Sequence, residues 1–264
     1  MPEPRVTTKW LANVQPCSNA ILRLFCFPYA GGSASIFHNW QCFLPKGVEV
    51  YPVQLPGRGS RVREAPLADV PTLVEEIIKA LLPFLNCDFA FFGHSMGALI
   101  AFELSRALRD RGLSEPLRLF VSGREAPDVP DSSGLAYDLP DAEFIALLRT
   151  LNGTPSAILE SREMLEFVLP ILRADIKLVQ QYRYVCSAPL SFPIKAYGGL
   201  RDEHAHRAGL VRWSQHTSAE FALSMLQGGH FFLQESKRQF MSLLGSDLAG
   251  TIQMTGRSTR FATL

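Results

Sequence analysis

FAFFGHSMGALIAFELSRALRDRG, residues 89–112, is the stretch whose reading decides the fold. It opens with Phe89, Ala90, Phe91 and Phe92, a continuous apolar run of the kind found in a strand buried on both faces. Gly93-His94-Ser95-Met96-Gly97 follows, and then Leu99, Phe102 and Leu104 recur at helical spacing. Strand, G-x-S-x-G and helix in succession describe a nucleophile elbow, a turn so tight that glycines must flank a serine whose hydroxyl stands at the end of a sheet. Ser95 is therefore the candidate nucleophile. An ordinary glycine-rich turn shares the pattern but not both flanks.

The bulk properties agree with one large α/β domain spanning 1–264: 264 residues, 47% of them hydrophobic, with a formal charge of +1. A balance so near neutral gives no case for nucleic acid. The five cysteines (Cys17, Cys26, Cys42, Cys87 and Cys186) are odd in number, scattered and free of any CxxC, which reads as reduced thiols in a cytoplasmic protein. Residues 1–16 contain no apolar signal core, and no uninterrupted run is long enough to span a membrane.

Outward from the elbow, residues 20–27 (AILRLFCF) read as the first strand and lead into Pro28-Tyr29-Ala30-Gly31-Gly32-Ser33, a loop whose small residues leave backbone amides open to a ligand. A helix is expected over 35–43, a strand over 48–54, a turn-rich loop over 55–61 and a helix over 70–85. Another strand covers 117–122. The alternation then stops. Between about 125 and 190 the chain reads as a Pro/Asp/Ser-rich loop and two helices, 141–151 and 160–184, the second kinked or split by Pro170. A helical insertion between two strands of a parallel sheet has the character of a lid. Strands resume at 192–197 and 221–226, a last helix starts near Glu235, and 250–264 reads as a frayed polar tail. Asn152-Gly153-Thr154 fits the glycosylation pattern, read here as chance.

A serine hydroxyl is a poor nucleophile until a base takes its proton, and in this fold the partners follow in the order Ser, acid, His. His230 lies in Gln227-Gly228-Gly229-His230-Phe231-Phe232 after the last strand, where the glycines let an imidazole swing over the sheet. His94 belongs to the elbow and is expected to point away from the chemistry. His38 and His216 have no partner signal. His204 and His206 lack the second cluster that a metal site needs, so no metal is expected. The favoured acid is Asp202, presented after Gly198-Gly199; Glu125 and Asp128, past the preceding strand, are the rivals. Negative charge built on the carbonyl oxygen requires donors: the Met96 amide at a helix N-terminus, and a second from the loop after the first strand, Ala30 with Tyr29 as the alternative.

The chain resembles the type II thioesterases, stand-alone α/β-hydrolases that accompany nonribosomal peptide and polyketide synthases, and is similar also to the vertebrate oleoyl-carrier-protein hydrolase. The motifs that carry the resemblance are FCFPYAGG (25–32), QLPGRGSR (54–61), FFGHSMGALIAFEL (91–104), LPILRADIKLVQQY (169–182), GLRDE (199–203) and GGHFFL (228–233). The resemblance implies an α/β-hydrolase fold with Ser95 as nucleophile, His230 as base, Asp202 as acid, and oxyanion amides at Ala30 and Met96. It also implies hydrolysis of acyl thioesters carried on the phosphopantetheine arm of acyl or peptidyl carrier proteins, with no cofactor beyond the arm itself, by a protein expected to be monomeric. Phe144, Leu147, Leu148, Leu165, Phe167 and Leu172 are candidates to line an acyl chamber, and Arg58, Arg61, Arg63 or Arg124 to meet an acidic carrier. The competing readings are a fatty acyl carrier-protein hydrolase, a carboxylesterase, and a carrier-binding corrector without hydrolysis.

Overall fold

The computed structural model describes residues 8–12, 14, 20–130, 136–151, 153–154 and 156–261. In chain order its elements are β1 (Leu22–Phe27), β2 (Val48–Pro52), α1 (Val70–Leu81), β3 (Phe89–His94), α2 (Met96–Asp110), β4 (Leu119–Ser122), α3 (Asp141–Leu151), α4 (Ser156–Leu159), α5 (Arg162–Gln181), β5 (Ile194–Gly199), α6 (Arg207–Val211), β6 (Phe221–Leu226), α7 (Phe232–Glu235) and α8 (Lys237–Phe261). The strands form one sheet in the order β2-β1-β3-β4-β5-β6, and every pairing is parallel. Such a sheet must be covered on both faces, and the side chains divide accordingly. Phe25, Phe27, Phe89 and Phe91 pack with α1 and α2 on one side. Leu24, Cys26, Phe92, Phe120 and Tyr197 pack on the other with Trp40 and with Phe240, Leu244 and Leu248 of α8. Burying a phenylalanine contributes about 2 kcal/mol, so these rings are a main source of the fold's stability.

Local signals account for most element ends. Asp69 caps α1, accepting from the Thr72 amide at 2.9 Å, and Pro71 occupies its first turn. The buried residues Val70, Leu73, Val74, Ile77, Ile78 and Leu81 then recur on one face. Ser161 caps α5 through the Met164 amide. Several expectations change, and the segment expected to hold two helices carries a short third, α4. The helix expected over 35–43 is a pair of 3-10 turns, Ala34–Phe37 and Trp40–Cys42, because Asn39 between them takes a left-handed φ of 62°. α5 is not split at Pro170 but continues through it; the carbonyl that the proline leaves without a donor belongs to Glu166, an exposed residue whose backbone water can serve. α8 carries helix into the stretch read as a frayed tail, as far as Phe261.

α3, α4 and α5 fall between β4 and β5, the segment read as an insertion, and share a small core of Phe144, Leu148, Leu159, Leu172 and Ile176. Cys26, Cys42, Cys87 and Cys186 are free thiols, and Cys17 lies outside the described residues. Among the described residues no helix is long and apolar enough to cross a membrane.

Where the chain leaves β4, Asp128 receives hydrogen bonds from His216 Nε2 (2.8 Å) and from Arg212. Burial works against the charged carboxylate, yet these two donors outweigh it and hold the carboxyl below its ordinary range. A carboxyl titrating lower in the folded than in the unfolded chain gives stability that is complete above about pH 4 and fades as the pH falls through the folded value. Asp128→Asn is therefore expected to lower stability by about 2 kcal/mol near neutral pH. In thermal melts taken from pH 7 down to pH 3, the gap between variant and wild type should close at the acid end.

Candidate active site

The turn between β3 and α2 sets the site. Ser95 has φ 54° and ψ −115°, a conformation that side-chain-bearing residues avoid, and its hydroxyl does not cap the helix it precedes. The turn is closed by the hydrogen bond from Ser95 N to Ser122 O (2.8 Å) and by the absence of side chains at its flanks. A Cβ on Gly97 would lie 2.1 Å from the Phe27 carbonyl oxygen, and one on Gly93 would lie 2.1 Å from the Gly97 carbonyl oxygen. Backbone thus meets backbone where β1 ends and α2 begins, which brings the loop after β1 beside the serine.

The partners arrive from the other end of the sheet. β5 and β6 pair through Gly199 and Leu226, and the two loops beyond them stay joined by Leu200 N to Leu226 O (2.8 Å) and Arg201 N to Gly228 O (2.9 Å). This places His230 Nδ1 at 2.9 and 3.1 Å from the two carboxylate oxygens of Asp202. The carboxylate is buried, and its Oδ1 also accepts from the amides of His204 (2.9 Å) and Ala205 (3.1 Å). Neither rival acid reaches the imidazole: Glu125 accepts from the His206 amide, and Asp128 is engaged by His216 and Arg212.

Ser95, Met96, Ala30 and His230 line a single cavity of about 120 Å³, together with Tyr29, Arg124, Gly153, Thr154, His204 and Phe231. Its apolar wall comes from Leu148 of α3 and from Leu172, Ile176 and Val179 of α5. The hydrogen bonds of the His230 ring found among the described residues run from Nδ1 to Asp202. Met96 N opens α2, where amides have no partner within the helix. In the loop after β1, Gly32 N donates to Tyr29 O (2.9 Å) and Gly31 N to Asp175 Oδ2 (2.7 Å). A hydroxyl, an imidazole fixed by a carboxylate and unspent helix amides can together move a proton and receive an oxyanion. Among the described residues no group of three or more His, Cys, Asp or Glu is arranged to hold a metal ion.

Several residues stand elsewhere than expected. His94 does not turn away from the site: its ring lies 5.2 Å from that of His230 and packs against Tyr29, Phe231 and Phe232. Full burial, and then the neighbouring charge of His230, push its pKa well below the usual value, so it is a neutral support. Its Nδ1 hydrogen bonds Ser122 Oγ at 2.9 Å. His204 is not a solvated loop residue; it lines the cavity with its ring edge-on to His230 at 5.5 Å. Arg58 and Arg61 are buried, the first against Asp175 and the second over the Trp10 ring, so neither offers a docking face. Among the residues proposed to line an acyl chamber, Leu148 and Leu172 reach the cavity, Phe144 lies in the core of the insertion, and Phe167 is 60% exposed. Ile176 and Val179, which follow Leu172 at helical spacing, complete the cavity's apolar wall. Asn152, of the glycosylation pattern, lies outside the described residues.

A wholly parallel sheet, a serine on a strained strand-to-helix turn, and an Asp–His pair on the loops after the last two strands define an α/β hydrolase. The chain belongs to the thioesterase domain family, whose model matches residues 22–247, and it is accordingly a hydrolase of thioesters. It is 45% identical over 240 residues to the gramicidin S biosynthesis protein GrsT of Aneurinibacillus migulanus, covering 91% of this chain and 94% of that one. Over 244 residues it is 39% identical to thioesterase PikA5 of Streptomyces venezuelae, covering 92% and 86%. Its structure matches that of RedJ, a thioesterase from the prodiginine biosynthetic pathway of Streptomyces coelicolor, with a TM-score of 0.81 at 37% identity, covering 93% and 91%.

The elbow's tolerance is the first thing to measure. Gly97→Ala would drive a methyl group into the Phe27 carbonyl, so it should destabilise the protein by more than about 3 kcal/mol. Circular dichroism and the yield of folded protein read the effect.

Proposed function

We propose that this protein is a type II thioesterase that removes acyl or aminoacyl groups from the phosphopantetheine arms of carrier proteins in a nonribosomal peptide or polyketide synthase. The reading rests on the family, on relatives named for gramicidin S and prodiginine biosynthesis, and above all on one arrangement. Ser95 and His230 face the same cavity, and the far side of the imidazole is tied to a buried Asp202.

In the proposed reaction His230 Nε2 takes the Ser95 proton as the hydroxyl oxygen attacks the thioester carbonyl. Asp202 holds the proton on Nδ1, fixing the tautomer and stabilising the imidazolium. The oxyanion is met by the Met96 and Ala30 amides, each typically worth about a hundredfold or more in rate. Collapse breaks the carbon–sulfur bond, the imidazolium protonates the departing pantetheine thiolate, and an ester is left on Ser95. Water then attacks this ester, losing its proton to His230; the acid leaves and Ser95 recovers its proton. A thiolate is a good leaving group, so protein side chains and amides suffice for the steps as written. The apolar wall of Leu148, Leu172, Ile176 and Val179 would receive the acyl chain. The carrier protein that bears the arm is the proposed partner.

Release of free thiol from aminoacyl-, short-acyl- and long-acyl-carrier proteins, set against p-nitrophenyl ester hydrolysis, tests both substrate class and mechanism. Carrier-bound thioesters should be preferred, and Ser95→Ala should lower turnover by at least about a thousandfold. Asp202→Asn should lower kcat by about a hundredfold to ten-thousandfold with the fold intact. Mass spectrometry of the quenched wild type should find the acyl group on Ser95. Wild-type turnover by Ser95→Ala would end the reading of Ser95 as nucleophile, and wild-type product formation by a synthase supplied with Ser95→Ala would end the hydrolytic one.

A further inference from the structure

The mechanism above makes no use of one buried carboxylate. Asp175 lies on the face of α5 that carries Leu172 and Val179, and is 1% exposed. A carboxylate so placed must be paired, and Arg58 pairs with it through both guanidinium nitrogens, Nη2 to Oδ1 at 2.8 Å and Nη1 to Oδ2. Arg58 is fixed by its own loop, where its Nε donates to Pro56 O (3.2 Å) and its carbonyl accepts from Gln54 Nε2 (2.9 Å). Charge pairing alone would satisfy Asp175. Yet Oδ2 also accepts from the amide of Gly31, 144 positions away in the chain, at 2.7 Å.

That amide occupies a decisive place. Tyr29 to Gly32 form a turn closed by Gly32 N to Tyr29 O, with Gly31 at φ 76°, the value a type II turn requires at its third residue. Type I and type II turns differ by a flip of their central peptide, which here joins the Ala30 carbonyl to the Gly31 amide. The Ala30 N–H belongs to the preceding peptide, so such a flip would not itself turn it; by holding the Gly31 N–H, Asp175 fixes the residue after Ala30 and with it the seat of the loop that carries the Ala30 amide. Leu172, one turn earlier on α5, closes over the same glycine: a Cβ on Gly31 would lie 2.6 Å from Leu172 Cδ2.

We propose that Asp175 is a positioning residue for thioester hydrolysis: anchored by Arg58, it locks the Tyr29–Gly32 turn and so keeps the Ala30 amide aimed at the reacting carbonyl. The proposal rests on the reading of Ala30 as an oxyanion donor. It makes the aim of that donor depend on the seating of α5, a helix of the insertion between β4 and β5.

The test compares wild type, Asp175→Asn, the paired swap R58M/D175L and Ser95→Ala. Each is assayed with an acyl-pantetheine thioester and with the matching acyl trifluoromethyl ketone, whose adduct with a serine presents an oxyanion. Replacing a buried ion pair by apolar residues of similar volume commonly preserves folding. The swap should therefore melt near the wild type, while its kcat falls about tenfold to a hundredfold with KM within about threefold. Its affinity for the ketone should fall by the same factor as kcat/KM. Asp175→Asn, whose amide oxygen still accepts from Gly31, should retain kcat within about fivefold. Wild-type kcat in the swap, equal losses in the swap and Asp175→Asn, or a loss confined to KM would each overturn the proposal. If the swap does not fold, Asp175→Ala and Asp175→Asn assayed below their melting points carry the same contrast, and equal kcat in those two overturns it. Turnover by Ser95→Ala would instead overturn the catalytic reading beneath it.

Discussion

Everything at this site depends on a close approach of backbone to backbone. The carbonyl of Phe27, last residue of β1, lies where a side chain on Gly97 would have to be, and the carbonyl of Gly97 lies as close to Gly93. Contacts that tight admit only glycine, and they pin three things together: the strained Ser95 φ, the start of α2, and the loop that carries Ala30. The strain at Ser95 persists because the surrounding sheet leaves no room for the turn to relax. The aromatic layers on both faces, Phe25 to Phe91 on one and Phe92 to Phe240 on the other, supply the rigidity against which it is held.

Around this fixed centre the remaining groups are placed by loops that brace one another. Asp202 is oriented by two amides of its own loop before it meets His230, so the imidazole is set by a partner already held. His94 adds a neutral ring beneath the imidazole, and the insertion supplies an apolar wall through α3 and α5. Apolar walls of this kind lower the local dielectric and strengthen charge interactions beside them.

Much of this was legible in the sequence because the relevant signals are local. Gly93 and Gly97 flank Ser95, Gly198-Gly199 precede Asp202, and Gly228-Gly229 precede His230; in each case the residues that shape the turn sit beside the residue it presents. What sequence reading missed depends on partners that no local pattern names. Arg58 and Asp175 are separated by 117 positions, and nothing near either one marks the other. His94 was expected to point away because the elbow pattern specifies its backbone, whereas its neighbours Tyr29 and Phe231 come from distant loops. Pro170 does not split α5 because it falls on the exposed side of the helix, where water can serve the carbonyl left without a donor. Ile176 and Val179 share the 3.6-residue period of Leu172 and were within reach of the same reasoning.

The strand order carries a consequence for how the protein comes to life. β3, which presents the serine, lies inside the sheet, whereas β6 forms its outer border and is the last strand of the chain. The imidazole proposed as base hangs just beyond that border strand. A nascent chain therefore carries the elbow well before it carries the proposed base. The proposed base is thus made late, followed by α7 and by α8, whose Phe240, Leu244 and Leu248 cover one face of the sheet.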